Sequence, residues 1–128
     1  MLTFVRTLQS SGCTNMKYSI GKNLTAGVAN TLFTVPTGYS AVVSMLSIAN
    51  AGGSTASVSA AWHDGSTITF QGSKSVGAGE QLQFGGEFGF FLVMTQGDYL
   101  TVTPASGSTF TTIVSFELER HNPGSVTF

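Results

Sequence analysis

The stretch Phe110-Thr111-Thr112-Ile113-Val114-Ser115-Phe116-Glu117-Leu118-Glu119 decides the fold. Phe110, Thr112, Val114, Phe116 and Leu118 recur at period two, and Thr111, Ile113, Ser115, Glu117 and Glu119 fill the alternate positions. A strand sends successive side chains to opposite faces, so the first set predicts a core-facing row and the second an outward one. The same alternation recurs upstream. Leu82 and Phe84 stand out within Gln81 to Phe84, and Leu100 and Val102 alternate with Tyr99, Thr101 and Thr103. Val58, Ala60 and Trp62 alternate with Ser57, Ser59, Ala61 and His63, and Ile68 and Phe70 resume the pattern after a turn. A helical period of 3.6 is hard to find anywhere.

Turn signals separate these runs. Pro36-Thr37-Gly38, Ala51-Gly52-Gly53-Ser54, Asp64-Gly65-Ser66, Gly77-Ala78-Gly79, Gly85-Gly86, Gln96-Gly97-Asp98 and Ala105-Ser106-Gly107 follow one another along the chain. Turns every ~8–12 residues with short Thr-, Val-, Phe- and Ser-rich strands between them indicate a sandwich or barrel. About eight strands fit between Asn30 and Glu119, which suits two antiparallel sheets packed face to face. The expected fold is therefore all-β: a single antiparallel β-sandwich, jelly-roll-like. Residues 29–120 form the sandwich. Residues 1–28 have weak periodicity and the breakers Gly12, Gly21 and Gly27, and read as an N-terminal arm or edge strands. Residues 121–128 read as a C-terminal tail, in which Phe128 follows Pro123-Gly124 and is a candidate to dock into a neighbouring subunit.

Composition narrows the function. The 128 residues include only 11 Asp, Glu, Lys and Arg, or 9%, against a globular norm of ~25%. Gly, Ser and Thr together make 49, and no Asp, Glu, Lys or Arg lies between Lys22 and Asp64. Five cations cannot neutralise much phosphate, so nucleic acid is not an expected partner. The chain is 41% hydrophobic with ten Phe, too apolar for ordinary disorder. Its longest apolar run, Phe90 to Met94, falls far short of the ~20 residues that span a bilayer, so no membrane partner is expected either. The start, Met1 to Leu8, lacks a basic region followed by a continuous apolar one and predicts no signal peptide. Cys13 is the single cysteine, which excludes an intramolecular disulfide.

The supply of catalytic groups is thin. His63, Asp64 and Ser66 sit within four residues, but triads converge from separate elements, and neighbours at a strand end point apart. They read as a strand-end His and a turn-starting Asp. Glu117, Glu119 and His121 share one strand face and are the only pattern resembling a metal set, more simply an outward polar face. Glu80 and Glu87 lie in Gly-rich turns, which argues against the paired carboxylates of a glycosidase. Gly77-Ala78-Gly79 and Gly85-Gly86 lack the Lys and the helix of a phosphate loop. No catalytic, cofactor-binding or metal residue is assigned, and the chain does not read as an enzyme.

The aromatic cluster is more informative. Phe84, Phe88, Phe90 and Phe91 lie within eight residues, and in a strand Phe90 and Phe91 would face opposite sides. Apolar side chains that one core cannot absorb mark contact surfaces. Phe88 and Phe91 are therefore candidate subunit or shell contacts, together with Phe128 and, in the arm, Phe4 and Arg6.

Four short motifs follow in order: Val35-Pro36-Thr37-Gly38, Ile48-Ala49-Asn50, Gly79-Glu80-Gln81-Leu82, and Gly97-Asp98-Tyr99-Leu100-Thr101-Val102. Pro36 and Gly38 suit a reversal, and Asn50, Gly97 and Asp98 suit strand ends tied by side-chain bonds to backbone. The ordered set resembles small β-sandwich virion proteins of tailed bacteriophages, over residues about 30 to 119. That resemblance implies a particle component such as a capsid decoration (cement) protein. It further implies a homo-oligomer, commonly a trimer, with the major capsid protein or other virion proteins as partners and the virion, assembled in the host cytoplasm, as location. A tail, baseplate or fibre module is the alternative it allows, with host-surface glycan as a contact through Tyr39, Tyr99 or Trp62. No cofactor is implied.

Overall fold

The structure, a computed structural model, describes residues 3–9, 16–86 and 91–120, the first of these by backbone alone. It is all-β among the described residues, with ten strands: β1 (Thr3–Gln9), β2 (Met16–Asn23), β3 (Asn30–Thr34), β4 (Tyr39–Asn50), β5 (Ala56–His63), β6 (Thr67–Val76), β7 (Gln81–Gly85), β8 (Leu92–Met94), β9 (Tyr99–Pro104) and β10 (Phe110–Arg120). The eight strands β3 to β10 occupy the span where turn spacing predicts about eight.

They form two antiparallel sheets. One runs β1-β2-β10-β4-β7, with β8 also paired to β4; the other runs β3-β9-β5-β6. Setting aside β1 and β8 leaves four strands in each sheet, ordered β2-β10-β4-β7 over β3-β9-β5-β6. The chain crosses between the sheets at every step from β2 to β5, turns back within one sheet from β5 to β6, and crosses again from β6 to β7 and from β9 to β10, which is the winding of a jelly roll. In this arrangement β2 (residues 16–23) is flanked on both sides, by β1 and β10, and β1 is the outer strand.

Period-two patterning accounts for the core. In β10, Phe110, Thr112, Val114, Phe116 and Leu118 are all buried, and Ile113 on the opposite face is half exposed. Val43, Leu46 and Ile48 of the neighbouring β4 extend this row, and Val58 and Ala60 of β5 and Leu100 and Val102 of β9 face it from the other sheet. The β4–β10 ladder shifts register between Ser115 and Phe116, and Ser44 fills the irregularity. Ser44 Oγ donates to the Ser115 carbonyl (3.1 Å) and the Ser44 carbonyl accepts from Gly86 N (2.9 Å). The neighbouring Gly85 has φ of 72°, and a Cβ there would collide with the Ser44 carbonyl, so only glycine fits where β7 ends.

Three buried polar side chains tie loops to strand ends. Asn50 Nδ2 donates to the carbonyls of Ser54 and Val76, both 2.9 Å, while its Oδ1 accepts from Gly52 N (2.9 Å). Asp98 Oδ2 accepts from Thr95 N (3.0 Å) and from Trp62 Nε1 (3.2 Å). Asn30 donates to the carbonyls of Thr25, Val28 and Val102 and accepts from Thr25 N. Among the described residues no buried side-chain nitrogen or oxygen lacks a partner.

Candidate interaction surfaces

The titratable groups do not converge. His63, at the end of β5, is held at both ring nitrogens: Nε2 lies 2.8 Å from Thr101 Oγ1 and Nδ1 3.2 Å from Thr67 Oγ1. Its ring stacks on Tyr99, with centroids 4.3 Å apart and planes 5° from parallel. Asp64 accepts from Ser66 N (3.3 Å) and Ser66 Oγ (3.1 Å), a local turn bond. Ser66 thus bonds Asp64, and His63 bonds two threonines; no Ser–His contact forms. Asp98 is occupied by Trp62 and Thr95. No group of three or more His, Cys, Asp or Glu suited to a metal occurs among the described residues. Glu117 and Glu119 lie on the outward face of β10, while His121, Glu87 and Cys13 lie outside the described residues. No helix among the described residues is long and apolar enough to cross a membrane.

What the exterior offers is area with little charge. On the outer face of β3-β9-β5-β6 stand Ser57, Ser59 and Ala61 of β5 and Thr103 of β9, all half-buried, while Thr101, bonded to His63, is buried. On the outer face of the other sheet, Val42 is paired with Val93 of β8, and Met45 and Ile113 follow along β4 and β10. Val93 is 48% exposed and Ile113 50%. Lys17 and Glu117, opposite each other in the β2–β10 ladder, border this apolar row.

The sandwich has two flanks where the sheets part, and each is filled by aromatic rings. Between β2 and β3, Tyr18, Phe116 and Phe33 form one stack: Phe33–Phe116 centroids are 3.9 Å apart with planes 2° from parallel, and Tyr18–Phe116 are 5.4 Å and 15°. Lys22 Nζ closes over that flank by donating to the Thr31 carbonyl on the free edge of β3 (2.8 Å). Between β6 and β7, Phe70 meets Phe84 edge-on at 5.3 Å and tilts against Phe91 at 6.2 Å. All three of these rings are half-buried, and Ile68, two residues along β6 from Phe70, is 43% exposed.

Phe91, predicted as a contact, therefore packs on its own aromatic neighbours with an edge left open. Phe88 and Phe128 lie outside the described residues. Phe4 and Arg6 belong to β1, whose backbone pairs them with Gly21 and Ser19. Trp62 is turned inward to Asp98, which removes it as a sugar platform. The sequence reading did not single out Asn30 or the Lys22 bridge. An Asn at the start of an apolar run is the one signal that would have flagged the first; the second depends on a contact between sheets that no local pattern encodes.

This geometry defines a jelly-roll sandwich. The chain matches no family model and no curated protein. Among solved structures it is similar to a chain of the Bacillus endospore appendages, described as disulfide-linked pili, at 12% identity and a TM-score of 0.55, covering 90% of this chain and 100% of that one. It is also similar to a chain of infectious bursal disease virus, Gx strain (16% identity, TM-score 0.48, 98% of this chain and 35% of that one). A chain of the T13 particle of the same virus aligns at 15% identity and a TM-score of 0.44, over 88% of this chain and 37% of that one. The likeness to the appendage chain shows a shared fold. The chain spans about a third of the length of the two viral chains.

Proposed function

We propose that the chain is a structural subunit of a tailed-phage particle: a capsid decoration (cement) protein that assembles as a homo-oligomer, a trimer, and binds the shell through the major capsid protein or other virion proteins. The observation that carries a structural role is the exterior. Two broad sheet faces are built of Ser, Thr, Ala and exposed Val and Ile, with no convergent acid, base or metal set among the described residues. A lone soluble domain ordinarily places Lys and Glu on such faces. Close-packed copies favour small neutral ones, because an unpaired buried charge is costly. The phage assignment rests on the four ordered motifs from Val35 to Val102 and not on the structural likenesses. Phe88, Phe91, Phe128, Phe4 and Arg6 are the proposed contact residues.

A tail, baseplate or fibre module is the second reading. The appendage chain, whose whole length aligns with this one, is a component of pili, so this sandwich can serve as a fibre subunit. Light scattering of the purified chain at tens of micromolar tests the shared premise: a trimer is expected, and a monodisperse monomer sinks both readings. Locating the chain in a reconstructed particle then separates shell from tail.

A further inference from the structure

The two flanks and four sheet edges are not equally finished. The free edge of β3 is five residues long and carries the Lys22 ammonium on one of its carbonyls. The β7 edge stops at Gly85 after five residues, and the β1 edge, seven residues in unbroken register with β2, carries Arg6 at its centre. The β6 edge is ten residues long, but its register against β5 shifts twice, between Val58 and Ala60 and between Ala60 and Ala61. Bulges and Lys74, opposite the core residue Val58, are devices that keep a long foreign strand from adding to an edge. On β6 they leave one regular window without a charge: Thr67, Ile68 and Thr69, paired in order with His63, Trp62 and Ala61, and all three exposed. Beside that window lies the incompletely covered ring trio Phe70, Phe84 and Phe91.

We propose that this window is a docking site for residues 125–128 of a neighbouring copy, Ser-Val-Thr-Phe, added as a short strand along Thr67–Thr69. This rests on the homo-oligomer reading above and names its contact. The window admits about three residues, is uncharged, and offers apolar surface on one side only. Ser125-Val126-Thr127-Phe128 is four residues long, uncharged, and places Val126 and Phe128 on one side at period two. The other stretches outside the described residues do not fit: Met1-Leu2 is too short for a three-residue window, 10–15 has no large apolar side chain, and 87–90 carries Glu87 and is joined at both ends to described residues of the same flank.

The reach of the segment favours a neighbour over the same chain. β10 stops at Arg120, paired with Tyr39. From there the chain's own window lies two strand spacings and one sheet gap away, about 14 Å in a straight line through the protein and longer around it. Five fully extended residue steps cover about 17 Å, only about 3 Å more than the straight line. A neighbouring copy imposes no such limit.

The test places a photo-crosslinking phenylalanine analogue at position 128 of the full chain. The expected product is an intermolecular dimer whose crosslinked peptide contains Ile68 or Phe70. An intramolecular crosslink, or one mapping to the outer face around Val42 and Ile113, overturns the docking site while the chain remains an oligomer; loss of the oligomer in the unmodified chain overturns the function reading itself. Ile68→Lys is a second arm. Its side chain is 43% exposed, so the fold should persist by circular dichroism. Self-association should weaken at least tenfold, as for Phe128→Ala, with the double variant no weaker than either single one. Unchanged association in both variants rejects the site.

Discussion

The two flanks of the sandwich solve one problem with different completeness. Between β2 and β3 the gap is closed by flat stacking of Phe33 on Phe116, both buried, with Tyr18 as the next ring and Lys22 bridging to the Thr31 carbonyl. Between β6 and β7 the rings of Phe70, Phe84 and Phe91 meet edge-on or tilted, none is fully buried, and Ile68 is open to water beside them. Edge-to-face pairs are as favourable as offset stacks, so burial and not ring geometry separates the two flanks. The first flank therefore belongs to the stability of the single subunit. The second is unfinished in the isolated chain, which is why it is the flank to ask about partners.

The largest effect that would break this comparison is on the closed side. Phe116→Ala removes the middle ring of the stack and leaves a cavity between sheets, and should cost about 3–5 kcal/mol. Phe84→Ala, from the half-buried trio, should cost clearly less, about 1–2 kcal/mol, since part of its area is already wet. Urea unfolding with unchanged slope measures both. Equal losses would mean that the two flanks are equally part of the fold and that the open one has nothing to spare for a neighbour.

Next in size is Asn30→Ala. Asn30 holds the loop 25–28 to β3 and β9 through four bonds, two of them to Thr25. Removing it leaves buried backbone groups unpaired, at about 1–3 kcal/mol. The loss should be local first: the Thr25 amide should exchange with deuterium faster while amides in β4 keep their protection. Uniform loss of protection would show that this clasp is coupled to the whole sandwich.

Much of this was legible in the sequence, and for a physical reason. Alternation in β10 and β5 names the buried residues because a strand has only two faces, so Phe110, Val114, Val58 and Ala60 could hardly go elsewhere. Turn chemistry located Asn50 and Asp98 because their bonds run to nearby backbone. Residues 16–23 were harder. Met16, Tyr18 and Ile20 do alternate, but Gly21 and Lys22 interrupt the pattern, and the strand is fixed by eight pairings with β10 from the far end of the chain. The surface was legible as a deficit of charge, and which parts of it remain open was not. That depends on register: the Thr67–Thr69 window exists because β6 bulges just beyond it, and bulges are set by pairing with β5.

The smallest expected effect concerns Lys22, and it sharpens the comparison most. Its bond to the Thr31 carbonyl is exposed, so Lys22→Met should change stability by no more than about 0.5–1 kcal/mol. The side chain shares its register row with Thr112 in β10, and its ammonium reaches across to the other sheet. Methionine keeps much of the apolar stem and loses the charge and the donor. The free edge of β3 would then resemble the β6 window: short, uncharged and unpaired. If a charge at an edge is what keeps it single, the variant should unfold at nearly the parental urea concentration yet form larger or additional assemblies in light scattering, in proportion to protein concentration. If assembly is unchanged, the closed flank owes its solitude to the ring stack beneath and not to the lysine above it.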